Sequence, residues 1–253
     1  MDDRVRRYLE SKAGVSLSAL AGSGIAVRES TKRTAERGNR ILVQRVVGEN
    51  GLLVTVVPGS VDAVVCAVRR MVPDEIFSPL GRAELCRALR GSEDAFGPYY
   101  LYGFDYILTR LEDFCPARTK HTVVPLTTKD IPREQFERRM SERRQPVSED
   151  DIWAFACYRD APGFQSTDLR LFGAQCASIA IVIWQDGPVA TYGVGTEEAC
   201  RGQGYALAAV SAATKWLLDQ GEVAVYGAYA DNIPSLRLAR RLGFAFLHQE
   251  MDI

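Results

Sequence analysis

Two glycines in one loop mark the segment of this sequence best suited to chemistry. Gly202 and Gly204 follow a predicted strand at Val189 to Thr196 and precede a predicted helix from about Tyr205 to Leu218. The first turn of a helix exposes unpaired N–H groups that carry partial positive charge, and glycine has no Cβ to keep an anion away from them. This order of elements favours a phosphate site, although the same glycines also serve simple tight turns.

The spacing around this loop excludes two nucleotide-binding folds. The G-x-G-x-x-G fingerprint needs a glycine where the sequence has Leu207, and the run G-x-x-x-x-G-K-[ST] does not occur. We therefore reject a Rossmann dinucleotide fold and a P-loop.

A second candidate segment follows the next predicted strand, Val223 to Tyr229. Asn232 and Ser235 stand at the start of a predicted helix that runs through Arg241, with Pro234 in its first turn. Asn and Ser at such positions either cap the helix or contact a ligand, and the residues alone do not separate the two roles.

The composition of the 253 residues describes a folded protein with little net charge. Hydrophobic residues make up 47% of the chain, enough for a substantial core, and 31 Lys and Arg balance 32 Asp and Glu. The net charge of −1 gives no general attraction to phosphate backbones or anionic lipid. We therefore expect small-molecule or protein partners, no nucleic acid and no membrane, and the oligomeric state stays open.

Cysteine usage and the start of the sequence favour the cytoplasm. Six cysteines occur singly, without a CxxC pair, and the sequence has only two histidines. We therefore expect free thiols, with neither a disulfide framework nor a metal site. The first residues are acidic and lack the basic and apolar regions of a signal peptide. The longest apolar stretch, Cys176 to Trp184, is far shorter than the ~20 residues that span a bilayer.

The N-terminal half combines helical and strand patterns, which predicts a mixed α+β region. Helical periodicity and capping residues favour three helices, and β-branched runs on either side of Gly48-Glu49-Asn50-Gly51 favour a hairpin. The predicted helices span residues 2–13, 61–71 and about 80–89, and the predicted hairpin joins residues 41–47 to 52–57.

An aromatic segment and a polar segment close this half of the chain. Rings alternate at residues 100, 102, 104 and 106, which favours a half-buried strand over a platform for a flat ligand. The polar segment 111–120 then separates the two halves. We expect an α+β domain of unknown role at residues 1–118 and a second domain at residues 121–253.

The two candidate segments resemble the GNAT superfamily of N-acetyltransferases. Residues 201–206 have the R-x-x-G-x-A form of its acetyl-CoA loop, and Asn232-x-x-Ser235 before Leu242-Gly243-Phe244 resembles its second signature. A predicted strand at Thr122 to Leu126 looks like the start of such a domain, so the resemblance covers roughly residues 121–253. It implies a mixed sheet flanked by helices for this region. With the smaller α+β domain expected before it, the whole chain is predicted to be an α+β protein.

The resemblance implies acetyl-CoA as the cosubstrate, with no metal, and assigns residues to it. The pantetheine arm would pair with the backbone of a strand whose neighbour splays away, and the diphosphate would meet the loop amides. The implied binding residues are Val194, Gly195, Thr196, Arg201, Gly202, Gln203, Gly204, Tyr205, Ala206, Asn232 and Ser235.

The sequence departs from this family at its usual acid and base. Many GNAT enzymes carry a glutamate on the strand before the loop and a tyrosine four residues after the serine. Here the strand holds no carboxylate, and the second position is Ala239. We take Tyr229 as the candidate acid and Thr191 as a second catalytic candidate. The other candidates are an ordered water relay and the side chains of Tyr192, Tyr226, Glu197 and Glu198.

We therefore expect an acyltransferase that moves an acetyl or short acyl group from acetyl-CoA to an amine of a small molecule or protein. The N-terminal domain would shape its acceptor pocket. The missing acid and base motivate an alternative, a non-catalytic acyl-CoA-binding sensor or interaction module with the same fold. A scaffold with a vestigial fold is the third hypothesis.

Overall fold

The computed structural model of the protein describes residues 1–20, 24–34, 40–89, 101–130, 152–184 and 187–253. In chain order the helices are α1 (Asp3–Ala13), α2 (Val61–Val68), α3 (Pro79–Ala88), α4 (Tyr205–Asp219) and α5 (Ile233–Arg241). The strands are β1 (Gly24–Glu29), β2 (Ile41–Val46), β3 (Gly51–Val56), β4 (Leu101–Leu108), β5 (Val123–Thr127), β6 (Ile152–Tyr158), β7 (Cys176–Trp184), β8 (Val189–Thr196), β9 (Val223–Tyr229) and β10 (Ala245–Asp252).

The chain forms two units. Unit 1 comprises Met1–Tyr106, Gly227–Leu236 and Phe246–Ile253, and unit 2 comprises Ile107–Tyr226 and Arg237–Ala245. The boundary expected between residues 118 and 121 stays a prediction. In the described ranges, no helix combines the length and the apolar character that a bilayer crossing requires.

Unit 1 contains a sheet in the order β1-β3-β2-β10-β4. The predicted hairpin is confirmed, since β2 and β3 pair antiparallel, while β1 adds parallel to β3 and β10 pairs antiparallel with β2. Apolar side chains of β2 and β3 pack with those of α2 and α3. This core includes Ile41, Val43, Val54, Val56, Val64, Val68, Leu85 and Met251. Unit 1 therefore has the predicted α+β character.

The first helix shows how local sequence sets its ends. The Asp2 side chain accepts a hydrogen bond from the Arg4 backbone N–H at 2.8 Å, which caps the exposed amides. Gly14 ends α1 with φ 74°, a left-handed conformation that favours glycine. Tyr8 and Leu9 lie on the buried face, as the apolar spacing predicts.

A buried ionic cluster links α1 to β4 and β10 within unit 1. The Lys12 ammonium lies 2.6 Å from Glu250 Oε2 and 3.4 Å from Asp105 Oδ2, and His248 Nε2 lies 2.9 Å from Glu250. Burial opposes the charge on Glu250, but Lys12 and His248 hold the pKa of this carboxyl well below its usual range. Asp105, His248 and Glu250 could reach a common cation, yet the Lys12 ammonium already lies against Glu250.

The ring-rich segment of β4 packs as a half-buried strand. Tyr102 and Phe104 have ring centroids 5.6 Å apart, and Phe246 contacts Phe104 at 6.0 Å and Tyr106 at 5.7 Å. These edge-on contacts are typical of packed aromatic side chains. Residue 100, the first ring of the predicted alternation, lies outside the described residues.

Unit 2 contains a mixed sheet in the order β9-β8-β7-β6-β5. The strands β5 to β8 pair antiparallel with their neighbours, and β8 pairs parallel with β9. α4 contacts β6, β7 and β8, and it buries an apolar face that includes Ala209, Val210 and Leu217. This unit has the mixed sheet with flanking helices that the sequence predicts for the C-terminal region.

The close approach at Gly243 gives a test of packing in unit 2. Gly243 has φ 90°, and a Cβ there would clash with the Asp113 carbonyl oxygen. We expect Gly243→Ala to lower the free energy of unfolding by about 2–4 kcal/mol. Gly163 has φ 76° with open space around it, so Gly163→Ala should cost only about 1 kcal/mol. Urea denaturation of both variants measures the difference, and equal losses would contradict this account.

Candidate functional site

The glycine loop (residues 201–206) lies in unit 2, between the end of β8 and the first turn of α4. Gly202 has φ 73° and Gly204 has φ 89°, so both adopt the left-handed backbone that side chains disfavour. Gly204 occupies the N-cap position of α4 without any side-chain cap. The conformation of the loop thus depends on both glycines, as the sequence predicts.

Most amides of this loop have no partner among the described residues; the exception is the Arg201 N–H, which donates to the Glu198 carbonyl at 3.1 Å. Among the described residues, the backbone N–H groups from Gly202 to Leu207 make no hydrogen bond, and the first helical bond runs from the Ala208 N–H to the Gly204 carbonyl at 3.0 Å. Consecutive unpaired N–H groups at a helix start attract anions because the helix dipole adds to their own partial charge. The loop can therefore hold a phosphate group.

The strand before the loop has a free backbone edge. β8 pairs with β9 at Val189↔Val223 and Ala190↔Ala224 only, although both strands continue. Strand residues present their backbone groups to alternate sides. The Pro188 carbonyl accepts from β9, whereas the Glu197 N–H donates toward β7 at Ala177.

The alternation identifies the residues of this edge. Odd-numbered residues of β8 direct their backbone groups to β7, so Tyr192, Val194 and Thr196 direct theirs away from it. The pairing of β8 with β9 ends at Ala190, before these three residues. We call them the β8 edge. Buried or crowded N–H and C=O groups normally find partners, so the β8 edge is suited to an amide-containing ligand.

His121 braces the glycine loop, a contact that sequence analysis missed. Its Nε2 lies 2.9 Å from the Gln203 carbonyl oxygen, and its ring stacks on Tyr205 with centroids 4.0 Å apart. The Gln203 side chain itself donates to the Ala199 carbonyl at 2.7 Å. The rarity of histidine in this sequence was the one available signal.

Glu197 stabilises a neighbouring loop and does not have the properties of a base. It is 4% exposed and accepts hydrogen bonds from Ser166 Oγ at 2.5 Å, Thr167 Oγ1 at 2.9 Å, and the backbone N–H groups of Asp168 and Leu169 at 2.8 and 2.7 Å. Burial raises the pKa of Glu197, but these hydrogen bonds outweigh burial and lower it to about 2. Such a carboxylate is a poor proton acceptor near pH 7.

The other catalytic candidates in unit 2 are side chains of β8 and β9, and each has its own packing or hydrogen-bond partners. Thr191 is half-buried, and its Oγ1 donates to the Ile183 carbonyl at 3.4 Å. Tyr192 pairs with Thr214 Oγ1 at 3.0 Å, and burial raises the pKa of its phenol. Tyr192, Tyr226 and Phe244 form a ring cluster with centroids 5.9 to 6.4 Å apart. The rings of Tyr192 and Tyr226 therefore pack against each other and against Phe244.

Two buried cysteines of unit 2, Cys157 and Cys176, are not activated thiols. Burial raises the pKa of Cys157 to about 11 and that of Cys176 to about 12. A nucleophilic cysteine needs a lowered pKa. All six cysteines are free thiols.

The remaining predicted site residues lie in unit 1. Tyr229 is 53% exposed at the end of β9. The Asn232 side chain accepts a hydrogen bond from the Ser235 N–H at 3.3 Å, as a helix cap does. This contact shows the capping role of Asn232, while its role toward a ligand stays a prediction. The predicted binding role of Ser235 also stays a prediction.

The comparison with protein families agrees with this geometry. The family described as acetyltransferase (GNAT) domain matches residues 108–245, more than half of the chain. The chain belongs to the GNAT acetyltransferase family. GNAT proteins transfer acyl groups and generally use acetyl-CoA as the cosubstrate. Comparison with curated proteins gives no match.

Several solved structures are similar to this GNAT chain. One is the structure of a protein described as a GNAT-family acetyltransferase from Novosphingobium aromaticivorans DSM 12444. It has 19% identity and a TM-score of 0.40, and the match covers 61% of this chain and 64% of that one. An acetyltransferase from Colwellia psychrerythraea has 13% identity, a TM-score of 0.44, and coverage of 78% and 74%. An N-acetyltransferase-like protein from Streptococcus suis 89/1591 has 17% identity, a TM-score of 0.39, and coverage of 81% and 72%.

Replacement of Glu197 tests its structural role. We expect Glu197→Gln to lower the free energy of unfolding by about 1–3 kcal/mol at pH 7, because a buried acceptor with four donors is altered. The folded-state pKa of about 2 lies below the usual 4.5. The stabilisation is therefore complete above pH 4.5 and is lost as the pH falls toward 2.

Denaturation of both proteins between pH 2.5 and 7 measures this loss. The wild-type protein and Glu197→Gln should converge in stability at the acidic end. Glu198→Gln is the matched control, since Glu198 is exposed and its replacement should change stability by less than about 0.5 kcal/mol. Equal effects of the two replacements would contradict the assignment.

Proposed function

We propose that this protein transfers an acetyl or short acyl group from acetyl-CoA to an amine of a small molecule or a protein. The proposal rests above all on one observation in unit 2, where the β8 edge leads within a few residues into the unpaired amides of the glycine loop. An acyl-CoA presents amide groups in its pantetheine arm and two anionic groups in its diphosphate. The β8 edge matches the first and the loop matches the second.

The individual binding roles follow from this arrangement. Val194 and Thr196 would pair with pantetheine through their backbones, and Gly195 lies between them without a side chain. Arg201 is the exposed first residue of the loop and supplies a cation for the diphosphate. The amides of Gly202 to Ala206 bind its oxygens. For Asn232 and Ser235, a role in binding the cofactor is proposed from the family resemblance alone.

The chemistry requires a neutral amine and a proton for the departing thiolate. A lysine-like amine is less than about 0.1% neutral at pH 7, so a base or a desolvating pocket must favour the neutral form. The amine nitrogen attacks the thioester carbonyl carbon and forms a C–N bond, the C–S bond breaks as the thiolate leaves, and the proton that the nitrogen loses passes to water. Backbone N–H groups near Val194 polarise the carbonyl. We assign the protonation of the thiolate to Tyr229 and retain Thr191 as the second candidate.

A non-catalytic acyl-CoA sensor is the second candidate function. Two observations favour it: Glu197 is held as a carboxylate by four donors, and Ala239 is fully buried where many relatives place an acid. Such a protein would bind acyl-CoA tightly and release no thiol with any amine.

A negative charge introduced into the glycine loop tests cofactor binding. Isothermal titration of the wild-type protein should show binding of acetyl-CoA and CoA, and Gly204→Asp should raise the dissociation constant at least about 30-fold because a carboxylate then faces the diphosphate. Gly221→Asp is the matched control at the other end of α4, since Gly221 has φ 76° and open space. Absence of heat with wild-type protein would refute the proposal.

Turnover separates the acyltransferase from the sensor. Release of free CoA thiol should occur with at least one member of a broad amine panel. With that amine, Tyr229→Phe should lower kcat about 100-fold or more, as loss of a general acid does, and should leave the dissociation constant of acetyl-CoA unchanged. Thr191→Val is compared in parallel. Full activity of Tyr229→Phe would transfer the acid role to another group, and binding without turnover would favour the sensor.

A further inference from the structure

His121 contacts Gln203 and Tyr205, the two residues on either side of Gly204, where α4 begins. Its Nε2 reaches the Gln203 carbonyl oxygen at 2.9 Å, its ring stacks on Tyr205, and a Cβ at Gly204 would lie 3.8 Å from Nε2. Tyr205 is itself 8% exposed. The imidazole therefore contacts the part of the loop whose N–H groups have no partner among the described residues.

The geometry fixes which nitrogen carries a proton. A carbonyl oxygen only accepts hydrogen bonds, so His121 Nε2 must donate to Gln203. The backbone of His121 is held in place as well, since its N–H donates to Thr119 Oγ1 at 3.0 Å. The donor thus reaches the loop from a defined position.

Such a brace matters because two residues of the loop are glycines. Gly202 and Gly204 have no side chains, and their backbones can adopt many conformations when no anion is bound. One hydrogen bond to Gln203 and one stacked ring on Tyr205 limit this freedom on both sides of Gly204. An anion site whose donors are already in place binds more tightly, because less order is lost on binding.

We infer that His121 is a positioning residue for the diphosphate-binding loop. The imidazole acts through Gln203 and Tyr205 and need not touch the cofactor. This inference rests on the proposed function, since it assumes that the loop binds the diphosphate of an acyl-CoA. It predicts an effect on the affinity for CoA, with kcat at saturating cofactor unchanged.

Three replacements separate the two contacts of the imidazole. His121→Gln keeps an N–H donor and loses the ring, His121→Phe keeps the ring and loses the donor, and His121→Ala loses both. We expect the dissociation constant of CoA, measured by isothermal titration, to rise about 10- to 30-fold in His121→Ala and about threefold in each of the other two. Thermal unfolding midpoints of all variants accompany the titrations.

A ligand without the diphosphate distinguishes positioning from general damage. Pantetheine lacks that group, so its affinity, measured by ligand-observed NMR, should change less than about twofold in His121→Ala. Equal losses for CoA and pantetheine, or unchanged binding of CoA, would overturn the inference while leaving the proposed function intact. If wild-type protein fails to bind CoA, the proposed function and the inference both fall. If His121→Ala does not fold, the Gln and Phe variants decide the question by the same comparison.

Discussion

The early end of the pairing between β8 and β9 is the constraint on which the site depends. Parallel strands normally continue their ladder for as long as both extend, because each unpaired amide costs free energy when it is shielded from water. Here the ladder stops after two residue pairs, and β8 continues toward the glycine loop with one edge open. The helix dipole of α4 then acts on amides that follow directly in sequence. One departure from regular sheet structure thus leaves an open strand edge close in sequence to the glycine loop within unit 2, and the proposed cofactor site rests on these two features.

The same region contains a carboxylate that is poorly suited to act as a base. Glu197 is the carboxylate nearest in sequence to the β8 edge, yet its oxygens are occupied by the donors of the segment 166–169. A carboxylate with this many donors is stabilised in its charged form and resists protonation. Glu197 therefore gives rigidity to the segment beside β8. Leu169 of that segment lies 2.9 Å from the position that a Cβ of Gly195 would take, so the glycine makes this close packing possible.

Local sequence signals predicted the elements that position the site. They could not predict contacts between residues far apart in the sequence. The hairpin of β2 and β3, the helix α4 and its preceding loop follow from turn residues, apolar spacing and glycines, which act within a few positions. β1 escaped prediction because it is a sheet-edge strand in which only Val27 is buried, so its pattern is weak. β6 was missed although its residues are almost all buried, since a short apolar run does not by itself indicate a strand. His121 acts across 82 positions of sequence, and no periodicity encodes that contact.

An open strand edge is also a surface on which another extended chain can add. Proteins usually shield such edges with charges, bulges or covering segments, because edge-to-edge pairing leads to self-association. The β8 edge follows the short ladder between β8 and β9 in unit 2, and a shielding device there would block its backbone groups. A bound thioester cofactor would occupy the same backbone donors and acceptors. The ligand would then act as a removable cover, protecting the protein from pairing with extended segments of other chains.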